Sequence, residues 1–146
     1  MELERRLGCP HCDRLEKATR GELLNLLMGT EQVIVIAGDH QYFLGYCVVI
    51  AKTHIREMHN LPERQALDIF SDVLRVGRVI EEHFKPIKMN YVCLGNVDEH
   101  LHWHVIPRYK DDPDHKDHPW KNSVSFATRV TTSDDIKNLQ LIFSRT

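Results

Sequence analysis

Three histidines stand at alternate positions in the string His100-Leu101-His102-Trp103-His104-Val105. A period of two belongs to a β-strand, so the three imidazoles share one face at a spacing of about 6.5 Å. Leu101, Trp103 and Val105 share the other face, which is apolar and must pack on a core. The histidine face is then solvated or lies in a site, because a row of imidazoles gains nothing from burial. Two chemistries suit such a row. Imidazole nitrogens ligate zinc, and catalytic zinc sites use three protein ligands. Alternatively, a neutral imidazole attacks phosphorus and forms a phosphoramidate, dividing one displacement into two. That nucleophile needs one bare ring nitrogen, with an acceptor on the other to fix the tautomer. Its neighbours can then bind phosphate oxygens and serve the leaving group.

A second cluster opens the chain: Cys9-Pro10-His11-Cys12. The Cys-x-x-Cys spacing is half of a zinc site, or a redox pair, although no thioredoxin-like βαβ pattern follows it. Two further ligands are needed, and the chain offers His54 and His100. His11 is an alternative, but it would crowd a site between adjacent ligands. Cys47 and Cys93 lie in apolar runs and read as small buried hydrophobes. His115 and His118, among Asp111, Asp112, Asp114 and Asp117, read as a solvated loop rather than a metal site.

The elements that position these groups can be read from periodicity. Residues 13–28, with Leu23, Leu24, Leu27 and Met28, suggest a short helix ended by Gly29. Gln32–Ala37 and Tyr46–Lys52 are β-branched runs and read as an antiparallel hairpin whose long loop carries Asp39. The clearest helix begins with Asn60 as N-cap and Pro62 in its first turn, and Pro86 stops it. Leu67, Phe70, Leu74, Gly77, Ile80 and Phe84 recur along it at helical steps. Asn90–Gly95 and His100–Pro107 read as strands, and Lys110–Asn122 as a loop with bulky anchors. A last helix opens at Ser133, with Asp134 and Asp135 near its positive end and with Ile136, Leu139 and Ile142 on its buried side. This order fits an α+β fold with an antiparallel sheet.

The 146 residues, 42% of them hydrophobic, suit one domain spanning 1–146, with a C-terminal tail from about residue 110. A net charge of −2 with no basic run disfavours nucleic acid and membrane surfaces as partners. The start lacks the apolar segment of a signal peptide, and no apolar run approaches the roughly 18 residues of a membrane span. The expectation is a soluble cytoplasmic protein.

The heptad His100-Leu101-His102-Trp103-His104-Val105-Ile106, with an apolar residue after each histidine, resembles the signature of the histidine triad (HIT) family. Pro107-Arg108-Tyr109 is similar to its common bacterial continuation. Leu94-Gly95-Asn96-Val97 looks like the phosphate-loop strand of the branch resembling diadenosine tetraphosphate hydrolases. The run from Val48 to Ile55 looks like the family's strand ending in Lys-x-His. The likeness covers about Cys9 to Tyr109.

The resemblance implies a HIT-like antiparallel sheet packed with one long helix and shorter terminal helices. It also implies a nucleotide hydrolase or nucleotidyltransferase acting on the α-phosphate of dinucleoside polyphosphates or nucleoside phosphoramidates. The route would be a covalent nucleotidyl-histidine intermediate. His102 would be the nucleophile, and His104 would contact phosphate and the leaving-group oxygen. Asn96 would hydrogen-bond the α-phosphate, and Asp39 would reach the ribose. In HIT-like proteins with an N-terminal Cys-x-x-Cys, including the branch similar to galactose-1-phosphate uridylyltransferase, the positions of His54 and His100 complete a Cys2His2 set. Zinc held by Cys9, Cys12, His54 and His100 would have no open position and would be structural. A homodimer is implied as well. The chain departs from the family pattern at Gly45-Tyr46, where Gly-His is usual. It departs again at Val97-Asp98-Glu99, where a Gly-Gln-Ser type segment is common. The alternative is a nucleotide-binding or zinc-stabilised interaction protein with little catalysis, although binding alone requires no nucleophile.

Overall fold

Two β-branched runs, Val33–Ala37 (β2) and Cys47–Ala51 (β3), are buried along their whole length. A strand buried at every position must be covered on both faces. The structure, a computed structural model describing residues 6–146, supplies that cover. The sheet has five antiparallel strands in the order β1-β2-β3-β5-β4, where β1 is Leu26–Gly29, β4 is Lys88–Val92 and β5 is His102–Arg108. The long helix α2 (Glu63–Phe84) and the last helix α3 (Ser133–Ser144) lie on one face, and the first helix α1 (Pro10–Thr19) lies on the other.

Strand periodicity divides the core in two. Val33, Val35, Val49, Trp103 and Val105 join Ile69, Val73, Val76 and Ile80 of α2, with Leu139 and Phe143 of α3. Ile34, Ile36, Val48, Ile50 and Ile106 point the other way, toward Leu15 of α1, Phe43 and Tyr46, with Trp120 and Phe126 packed alongside. His102 and His104 lie opposite Ile50 and Val48 in the β3–β5 register, on this second side. The expected alternation of Leu101, Trp103 and Val105 into the core is therefore present. Of the two expectations for the histidine face, solvated or in a site, the second is met: α1 and the tail roof it over a cavity lined by His102 and His104.

Several sequence readings are corrected; the long helix, for one, begins at Glu63 with Pro62 instead of Asn60 at its N-cap. The helix expected within residues 13–28 lies earlier, at Pro10–Thr19, and Leu26–Gly29 is an edge strand pairing with β2. Cys9 caps that helix through its sulfur, and Pro10 occupies its first turn. The long helix buries a stripe rotated from the one expected: Leu67 and Phe70 are more than half exposed and Ile69, Val73 and Val76 are buried, while Ile80 is buried as expected. Both stripes obey the helical period, and the β-branched one meets the sheet. Gly77 belongs to both, and it is needed: a Cβ there would come within 2.0 Å of the Tyr91 hydroxyl on β4. Strand β4 also sits earlier than the expected Asn90–Gly95, running from Lys88 to Val92.

α3 starts at Ser133 as its acidic first turn suggested, and Thr132 and Asp135 form a reciprocal capping box. The tail between β5 and α3 is tied down at Arg108, a fully buried cation. Its guanidinium contacts Asp112 Oδ2 at 2.6 and 2.8 Å, and donates to Asn90 Oδ1 at 3.1 Å. It also donates to the carbonyls of Asp114 and Asp117, both at 2.6 Å.

Candidate active site and metal centre

His100 lies just ahead of β5, held there by backbone bonds. Leu101 N donates to Ile55 O at 2.8 Å, and Ala51 N donates to Leu101 O at 3.1 Å. This brings His100 beside His54, and the N-terminus of α1 brings Cys9 and Cys12 against both. His54 Nδ1 is 3.2 Å from Cys12 Sγ, and His100 Nδ1 is 3.5 Å from each of the two sulfurs. All four donor atoms lie within 4.8 Å of one another. Tetrahedral bonds of about 2.3 Å to sulfur and about 2.0 Å to nitrogen separate neighbouring S and N ligands by about 3.5 Å, so the donor set fits a metal of that kind. The His100 tautomer agrees. Its Nε2 faces Ala51 O at 2.6 Å. A carbonyl only accepts, so Nε2 carries the proton and Nδ1 offers its lone pair to the cluster. The four residues expected to share a metal are thus gathered in one place and can bind one.

Two residues on, the chemistry changes. His102 Nδ1 lies 2.6 Å from His100 O, so Nδ1 donates and Nε2 is left bare, the form that an attacking imidazole requires. His104 is held the opposite way. Its Nδ1 is 2.6 Å from the hydroxyl of Tyr46. Burial pushes the Tyr46 phenol well above its ordinary pKa, so the phenol keeps its proton and can donate it to a bare Nδ1. Burial, and after it the neighbouring His102, lowers the pKa of His104 to about 4. The ring is therefore neutral near pH 7, and with the phenol as donor it presents Nε2–H. The Tyr46 ring can occupy this position only because residue 38 is glycine, where a Cβ would fall 2.2 Å from the ring. Trp120 stands edge-on to His104 at 5.1 Å from the tail. His102 and His104 have ring centroids 5.0 Å apart.

Both rings line a cavity of about 160 Å³ with His11, Arg14, Asn25, Asp39 and Asp98 among its walls. Asp39 is exposed at its edge, in the β2–β3 loop as expected. A neighbouring cavity of about 310 Å³ shares Asp39, Tyr46 and His104 and adds His40, Trp120 and Phe126. Asn96 is exposed on the β4–β5 loop and is not among the residues lining either cavity. Of the residues singled out from sequence, the structure therefore gathers Cys9, Cys12, His54 and His100 in one cluster and His102, His104 and Asp39 around one cavity. Asn96 stands apart. Sequence reasoning assigned no substrate role to His11, Arg14 or Asp98. The one available signal was the helical spacing of His11 and Arg14, one turn apart on the same helix as Cys12.

A HIT domain family model matches residues 21–111. Protein hit of Bacillus subtilis (strain 168) is 34% identical over 86 residues, covering 54% of this chain and 58% of that protein. The bis(5'-adenosyl)-triphosphatase of Dictyostelium discoideum is 28% identical, over 50% of this chain and 52% of its own length. The chain thus spans only about half the length of these relatives. A Zn-bound histidine triad family protein from Mycobacterium smegmatis superposes with a TM-score of 0.69 at 17% identity, covering 95% of each chain. At that identity the likeness is one of fold.

Proposed function

Because this chain belongs to the HIT domain family, we propose that it hydrolyses or transfers nucleoside monophosphates, with His102 as the nucleophile. The substrates would be dinucleoside polyphosphates or nucleoside phosphoramidates. The observation that carries this reading is the bare Nε2 of His102, fixed by the carbonyl of His100, with His104 held beside it by the Tyr46 hydroxyl, which can leave an Nε2–H on that ring.

The lone pair of His102 Nε2 attacks the α-phosphorus. A P–N bond forms as the bond to the leaving group breaks, and the leaving group keeps that electron pair. The positive charge that develops on the ring is stabilised through Nδ1–H by His100 O. His104 Nε2–H donates to the leaving-group oxygen, and the charge of the bound phosphate makes that ring easier to protonate. Water or another acceptor then attacks phosphorus, the P–N electron pair returns to Nε2, and the proton that the attacking O–H loses passes to solvent. Asp39 is placed at the cavity edge to meet the ribose. Asn96 would reach the α-phosphate only if its loop closed over the cavity.

Zinc is the metal we assign to Cys9, Cys12, His54 and His100. The relative described as Zn-bound supports this choice, as does a donor set of two sulfurs and two imidazoles. Bound there, zinc supplies folding free energy and fixes His100, whose carbonyl holds His102. We further propose a homodimer, supported by the exposed stripe of Leu67 and Phe70 on α2 and by the edge position of β4. A cytoplasmic location completes the reading; no described helix is long and apolar enough to cross a membrane.

The test uses diadenosine tetraphosphate labelled in the nucleoside monophosphate. Wild-type protein should acquire an acid-labile label during turnover. His102→Ala should lose label and turnover together, by several orders of magnitude at about 1.4 kcal/mol of barrier each. Retention of a tenth of the activity by His102→Ala would instead point to direct attack by water.

A further inference from the structure

His11 lies between the two cysteines of the metal cluster, yet its ring turns away from them. It is 4% exposed, and its centroid lies 4.4 Å from that of His102. Its tautomer is fixed by Arg14, one helical turn on, whose Nη1 is 3.2 Å from His11 Nδ1. A guanidinium only donates, so Nδ1 accepts and Nε2 carries the proton. That Nε2–H is buried and has no hydrogen-bond partner among the described residues. The nearest acceptor the structure gives it is Asp98 Oδ2 at 3.9 Å, beyond hydrogen-bond range. An unmet buried donor is costly, and this one borders the cavity that holds His102 and His104.

The arrangement around His102 is therefore two-sided. His104 flanks it at 5.0 Å along the strand, and His11 flanks it at 4.4 Å from the helix. Each can offer a ring N–H to the cavity. Arg14 is the one Arg or Lys among the described residues lining this cavity, which also carries the carboxylates of Asp39 and Asp98.

We infer that His11 Nε2–H, polarised by Arg14, is the second arm of a phosphoryl cradle, donating to a non-bridging oxygen of the phosphate attacked by His102. The inference rests on the reading of His102 as nucleophile. It gives α1, which lies outside the family-matched segment, a part in the reaction as well as in the metal cluster.

The test compares wild type with His11→Phe, which keeps a flat ring without the donor, and with His11→Gln, which restores an N–H. Two readings are taken: the affinity ratio of AMP to adenosine, and the rate at which the labelled tetraphosphate marks the protein. His11→Phe should slow labelling roughly 100-fold, the scale of losing one oxyanion donor, and should lower the AMP-to-adenosine ratio. His11→Gln should recover much of both. Wild-type labelling by His11→Phe, or equal losses of AMP and adenosine affinity, would overturn the assignment while leaving His102 in place. If wild type takes up no label, both readings fall. Should His11→Phe not fold, Arg14→Met asks the same question, because it frees Nδ1 and lets the ring turn its bare nitrogen to the phosphate. Labelling should then slow about tenfold, and an unchanged rate overturns the proposal.

Discussion

The two ends of the histidine row are built on different principles. At the His100 end, a ring with no exposure is enclosed by two sulfurs and a second imidazole, and its remaining nitrogen is spent on a backbone carbonyl. At the His104 end, the ring is half-buried between a tyrosine hydroxyl and a tryptophan edge, and its free N–H faces a cavity. One end is closed on itself and the other is left open. His102 stands between them, with Nδ1 tied to the closed end and Nε2 facing the cavity. The lesson is that two imidazoles two residues apart can be held in opposite tautomers, His100 with Nδ1 bare toward the sulfurs and His102 with Nε2 bare, because different neighbours fix each one.

Breaking the closed end should have the largest effect. Cys12→Ala removes one of four donors, and structural zinc of this kind is worth about 10–16 kcal/mol of apparent binding free energy. Bound zinc should be nearly lost on metal analysis and the melting temperature should fall steeply; zinc retained at one per chain would refute the ligand set. Breaking the open end should spare the fold and change the chemistry. Tyr46→Phe keeps the ring over Gly38 but frees His104 Nδ1. Turnover with poor leaving groups should fall about tenfold, or about 1.4 kcal/mol, with a smaller fall for good leaving groups and little change in KM. Equal losses for both classes would remove His104 from the leaving-group role. The mildest change is Trp120→Ala. Aromatic pairs of this type contribute about 0.5–1.5 kcal/mol, so a few-fold loss confined to turnover, with the zinc content intact, is expected. A loss of zinc in this variant would mean that the two ends are not independent.

The strand was legible because alternation is local: His102, Trp103 and His104 declare their faces without reference to anything else. The metal set was legible through the family resemblance, which joined Cys9 and Cys12 to His54 and His100 across the chain. The Tyr46–His104 bond was not, because it joins residues 58 positions apart whose pairing depends on the β3–β5 register. The covered face of α2 was misread for a different reason. Leu67 and Phe70 are as apolar as Ile69 and Val73, and only the sheet decides which stripe it meets. The first helix was placed too late because leucines at 23, 24 and 27 satisfy a helical period, while pairing with β2 makes a strand of Leu26–Gly29. His11 was weighed as a metal ligand by its position in sequence. The direction of its ring, which decides its role, is set by packing against His102.

The buried guanidinium of Arg108 bears on where this protein can be cut. The match to the family model ends at residue 111, yet every partner of that cation except Asn90 and the Phe43 ring lies beyond it, at Asp112, Asp114 and Asp117. A fragment trimmed to the homologous segment would leave a charge inside the protein without its counterion, a defect of about 3–5 kcal/mol. It would also lose Leu139 and Phe143 from the core. The edge of the matched segment therefore runs through the middle of a folding unit, and the residues beyond it are not a removable appendage.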